Sequence, residues 1–93
     1  MTLSNDEREL LRLVDQSTAP VAMSDLFHTI HPPAPGLDEH HPDHEAWNEL
    51  QLGLYGASIN LHANGFVRIV SPANGERADL VESTAAGRAA LAI

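Results

Sequence analysis

The sequence predicts a single, mainly helical domain of the α+β class, with a three-helix core, a small β-hairpin and a short C-terminal helix. Three observations predict it. Apolar residues recur at helical spacing in three separate segments. The run "FVRIV" is followed by an Asn-Gly turn and a second strand-like run. The 93 residues contain no cysteine, so one core held by apolar burial is the economical solution.

Each element follows from a local signal. "LSNDERELLRLVDQ" places Ser4 three residues before Glu7, the spacing of a capping box, and continues with Leu10, Leu11, Leu13 and Val14, which predicts a helix over 4–16. Pro20 breaks the pattern and leaves a short extended piece at 21–23. Ser24 is the expected cap of a short second helix, with Leu26, Phe27 and Ile30 as its apolar face; the prolines of "HPPAPG" end it. Residues 31–43 form a loop, long for a connection between helices. A third helix is expected from Asp43, its cap, or His44 to Ala63, with Asn64-Gly65 as the stop that supplies a positive φ. Trp47, Leu50, Leu54, Ala57 and Leu61 fall on one stripe of this helix, and Leu52, Tyr55 and Ile59 on a second beside it, so that both are open to burial in the core. A hairpin over 66–83 turns at Asn74-Gly75, and Ser83 or Thr84 caps a last helix, "AAGRAALAI".

Charge is the unusual feature of the composition. Thirteen acidic residues face five arginines and no lysine, a formal net charge of −8. Residues 1–65 hold Arg8 and Arg12 against ten acids, whereas 66–93 balance three arginines against three acids. Such a balance opposes phosphate binding. It also keeps a protein soluble and is common where cells live in high salt. No run approaches the roughly 20 apolar residues of a membrane span, and the N-terminal residues lack the basic and apolar regions of a signal peptide, so a cytoplasmic protein is expected.

The order helix, short strand, helix, helix, hairpin, helix, together with "LHANGFVRIV" and "NGERADLVESTAAGRAALA", resembles the winged-helix regulators of the MarR and PadR type. In that family a long helix ends in a leucine-rich, Gly-punctuated turn, and the wing leads into a Leu-Thr-x-x-Gly-Arg-like helix start, a place occupied here by Ser83-Thr84-Ala85-Ala86-Gly87-Arg88. The resemblance implies a transcriptional regulator whose third helix enters the DNA major groove while the wing reaches a neighbouring groove. A homodimer is expected besides, because one domain with so little positive charge would bind DNA poorly and a short terminal helix such as "AAGRAALAI" commonly needs a packing partner. Asn48 and Gln51 would then read bases, and Arg68 and Arg77 would serve the wing.

The same helix, however, carries Glu45 and Glu49 after Asp43, without a Lys or Arg anywhere along it. Phosphate contacts supply most DNA affinity. An alternative expectation is therefore a winged helix turned to protein recognition or DNA mimicry, with Asp43, Glu45 and Glu49 meeting a basic partner surface. A third reading concerns "LDEHHPDHEAWNEL", where His40 and His44 lie four apart among carboxylates suited to a divalent ion; Pro42 between them disfavours a shared helical face. No metal or other cofactor is expected. Nor is catalysis, since the chain has no phosphate-binding Gly loop and no nucleophile elbow, and Ser58 beside His62 is expected to bond its own helix backbone. Trp47, the one tryptophan, is expected to anchor the core.

Overall fold

A computed structural model describes residues 3–32 and 42–92. The chain runs α1 (Asn5–Gln16), β1 (Val21–Ala22), α2 (Met23–Ile30), α3 (His44–Ala63), β2 (Val67–Ser71), β3 (Leu80–Ser83) and α4 (Ala85–Leu91). The three strands form one antiparallel sheet in the order β1-β3-β2, so the two-residue β1 closes the outer side of the hairpin, with Val21 opposite Val81. The α+β class follows directly from this inventory of four helices and a small sheet.

The local signals act as chemistry requires. The Ser4 hydroxyl accepts from the Glu7 N–H at 3.1 Å, while the Glu7 carboxylate accepts from the Ser4 N–H at 2.9 Å, so the first turn of α1 is capped reciprocally. That bond to the Ser4 backbone holds the Glu7 carboxyl below its usual range, aided by the amide of Asn60, which reaches across from α3 at 3.0 Å. Two caps differ from expectation. The second helix starts two residues early, at Met23, with Ala22 in place of Ser24 at its cap position and no side-chain bond there. The reason is that β1 leads straight into it, which puts Met23 in the core and Ser24 inside the first turn. Asp43 does occupy the cap position of α3, but its side chain makes no cap bond.

The core is built from one face of each element. Leu10, Leu11 and Val14 of α1 meet Leu54, Ala57 and Leu61 of α3, Met23 and Leu26 of α2, and Val67 and Val81 of the sheet. Leu10, Leu11, Leu54, Leu61 and Val81 are fully buried; removing such a side chain from water stabilises the fold by roughly 1.5–3 kcal/mol each.

The end of α3 is tied to the hairpin and to α4 at a single junction. Gly65 takes a φ of 73°, as the Asn-Gly stop requires, and its carbonyl accepts from the Thr84 hydroxyl at 2.6 Å. The same hydroxyl accepts from the Gly87 N–H at 3.1 Å and so caps α4. Gly87 sits directly against the Phe66 carbonyl, and a β-carbon built on it would also stand 3.2 Å from Leu11. The terminal helix thus finds its packing within the chain, where Arg8 also donates to the Leu91 carbonyl at 3.3 Å. The need of a short helix for a partner therefore gives no reason to expect a dimer.

Candidate interaction surface

Trp47 does not fill the core. It is half-buried and bridges two helices: its indole N–H donates to the His31 carbonyl at 3.0 Å, and its ring stacks on His28 with centroids 5.9 Å apart. Gln51, one turn on, donates to the same carbonyl at 3.3 Å. The unpaired carbonyl at the C-terminus of α2 is thereby satisfied by two side chains of α3, which fixes how the two helices meet. Ser58 is buried and returns its hydroxyl to the Tyr55 carbonyl at 2.7 Å.

The two apolar stripes of α3 do not lie side by side. Leu54, Ala57 and Leu61 are buried, whereas Leu52, Tyr55 and Ile59 are 68%, 57% and 49% exposed. Helical geometry explains the split. Glu45, Leu52 and Ile59 are spaced by sevens and form a single line, while Leu54 and Leu61 form another almost half a turn away. A three-helix core reaches only one of these lines, so the second stripe stays in water. Leu50, assigned to the inner stripe, is also 48% exposed, beyond the reach of the helices that cover Leu54.

The outward stripe borders a groove. Met23 and Phe27 of α2, Tyr55 and Ile59 of α3, and Ile69 and Val81 of the sheet line an open apolar trough of ≈ 480 Å³. Ile69 points into it because it lies two residues beyond the buried Val67 and so on the same side of β2. Ser24, Ser58, His62 and Asp79 supply polar edges. Phe27 and Tyr55 also line a second hollow beside it, together with Asn48, Gln51 and Leu52. Gly56 lies on the same outward side with open space where a β-carbon would stand. Phe27, Ile69 and Asp79 were not legible as groove-lining residues one segment at a time. Strand parity from Val67 to Ile69 is the signal that points to them.

The remaining residues singled out from the sequence are dispersed. Arg68 lies on the opposite side of β2 and is paired across the hairpin with Glu82, its Nε donating at 2.6 Å. Arg77 is exposed at the turn, where its N–H and that of Glu76 donate to the Asn74 side chain at 3.0 and 2.8 Å. Val70 forms a bulge in the strand, and β3 begins only at Leu80, so Arg77, Ala78 and Asp79 belong to the turn region and not to the returning strand. Arg88 donates to the carbonyl and hydroxyl of Ser83 at 3.4 Å and forms no ion pair with Glu82 or Asp79. Asn48 is exposed beside His44, with 3.5 Å between their side-chain nitrogens. Glu45 and Glu49 are exposed, as is Asp43. His40 lies outside the described residues; among those described, no three His, Cys, Asp or Glu side chains gather to hold a metal ion. No described helix is long and apolar enough to cross a membrane.

Comparison with protein-family models, curated proteins and solved structures finds no match to this chain.

Proposed function

We propose that the chain is a winged-helix domain of a regulatory protein and that it recognises another protein through the outward face of α3. The order of elements supports the winged-helix reading, as does a sheet in which the short β1 pairs with the second strand of the hairpin. One observation carries the functional reading. The face that a DNA-binding member of this fold would present to the major groove carries here Leu52, Tyr55 and Ile59, bordered by Glu45 and Glu49, with no Lys or Arg on the helix. Exposed apolar side chains gathered beside a groove gain free energy when a partner covers them. Placed against a phosphate backbone, the same face offers repulsion and no counterion release.

The order of elements, with an exposed Arg77 on the hairpin, favours a second reading: a dimeric DNA-binding regulator that uses Arg68 and Arg77 for phosphate contacts and Asn48 for base contact. Three particulars weaken it. Arg68 is neutralised by Glu82, the Gln51 amide is engaged by the His31 carbonyl, and Asn48 has acidic neighbours.

The two readings part in one titration. Fluorescence anisotropy with mixed-sequence duplex DNA should give no binding even at about 50 mM salt if the partner is a protein. Binding that weakens linearly with log salt, and that disappears in the Arg68→Ala, Arg77→Ala double variant, would transfer the function to DNA.

A further inference from the structure

We infer that the occupant of the groove between α2, α3 and the sheet is an amphipathic helix of another protein, with apolar side chains along one face and Arg or Lys beside them. The inference rests on the protein-recognition reading and names its partner class.

Length and shape favour a helix. The trough and the hollow beside it run along α3 from His62 to Asn48, which at about 1.5 Å per residue is roughly 21 Å, the length of four helical turns. Its two hollows measure ≈ 480 and ≈ 380 Å³; each lies within the roughly 300–1,000 Å³ of sites that bury groups of ligand size. Two such hollows side by side, with Phe27 and Tyr55 lining both, suit apolar anchors spaced at i, i+3 or i+4, and i+7 on a docked helix.

Charge decides which helix. The described lining contains one carboxylate, Asp79, and no arginine. Glu45 stands in line with Leu52 and Ile59 at the start of α3, Glu49 stands beside it, and Asp25 lies exposed next to Ser24. Acids thus stand at both ends of an apolar trough on a chain of net charge −8. A helix with basic residues flanking its apolar face satisfies both features at once. A second copy of this chain does not, because it brings the same net charge of −8 and an α3 face without Lys or Arg.

The test uses the full chain, labelled with ¹⁵N, and two designed helical peptides of about four turns that share one leucine face. One carries Arg on its flanks and the other Glu. The Arg peptide should bind at least about tenfold more tightly than the Glu peptide, with amide shifts confined to α2, the outward side of α3 and the hairpin. The Leu52→Ala, Ile59→Ala double variant, which changes no charge, should weaken it by about tenfold or more. Removing two acids remote from the groove, by Glu9→Gln with Asp15→Asn, should change affinity by less than about twofold. Shifts spread over the whole acidic surface, or equal loss in both variants, would reduce the contact to non-specific charge and overturn the proposal. Concentration-dependent dimerisation lost in the Leu52→Ala, Ile59→Ala variant would assign the face to a second copy, which also overturns it. If neither peptide nor duplex DNA binds, the helix class is wrong while protein recognition stands; if only DNA binds, both fall.

Discussion

Gly87 illustrates how one residue type can be dictated by packing alone. Its backbone conformation is ordinary helix, and what excludes a side chain is the Phe66 carbonyl, with the Leu11 methyl as the next neighbour. A carbonyl held in place by the Thr84 N–H at 3.0 Å has little freedom to retreat. Gly87→Ala should therefore destabilise the protein by about 1–3 kcal/mol despite alanine's higher helix propensity. Urea denaturation would measure it, and a neutral or stabilising result would mean that α4 slides freely on α1. Leu61, Gly65, Phe66, Thr84 and Gly87 were all quoted in the sequence as parts of a turn and a helix start. Their identities announced the junction; the contact that requires glycine did not appear until α4 was laid against the end of α3.

At the level of elements, α3 is apolar on both sides and only one side is covered. Leu54→Ala should cost about 2–5 kcal/mol because it empties a closed part of the core. Leu52→Ala and Ile59→Ala should each change stability by no more than about 0.5 kcal/mol, since water already reaches both side chains. Thermal unfolding of the three variants would separate a structural stripe from a recognition stripe. A large loss at Leu52 would show that it is buried in the folded protein, and the exposed stripe would then need another account. The helices, the hairpin, the Asn-Gly stops and two of the caps were legible in the sequence because each is a short-range signal. Which of the two stripes faces inward was not, because that depends on where α1 and α2 approach α3. The same holds for Trp47, where a lone tryptophan near a helix start reads as a core anchor until the His31 carbonyl appears as its partner. The groove was the least legible feature, since Phe27, Tyr55 and Ile69 come from three elements joined only by the tertiary fold.

For the whole molecule, the decisive quantity is a net charge of −8 on 93 residues. Glu9 with Arg12, and Glu82 with Arg68, form local ion pairs, yet thirteen acids face only five arginines in the sequence. Mutual repulsion of those acids destabilises the compact state, and dissolved ions screen it over a Debye length of about 10 Å at 0.1 M and about 3 Å at 1 M. The melting temperature should rise between about 0.1 and 1 M sodium chloride. A flat or falling response would mean that the acids are already compensated within the fold, leaving less free charge for a basic partner to meet.

Among the described residues the strand β2 forms one margin of the sheet, pairing with β3 alone, and Ile69 and Val70 are exposed along it. Such a margin is a template on which another chain can grow a fibril. Three features oppose that outcome. The bulge at Val70 interrupts the flat ladder, the paired Arg68 and Glu82 place a charged couple on its outer side, and any approaching copy brings the same excess of negative charge. The acidity that sets this chain's net charge therefore also guards its margin against runaway self-assembly, so that an apolar trough can stand open on its surface without committing the protein to precipitation.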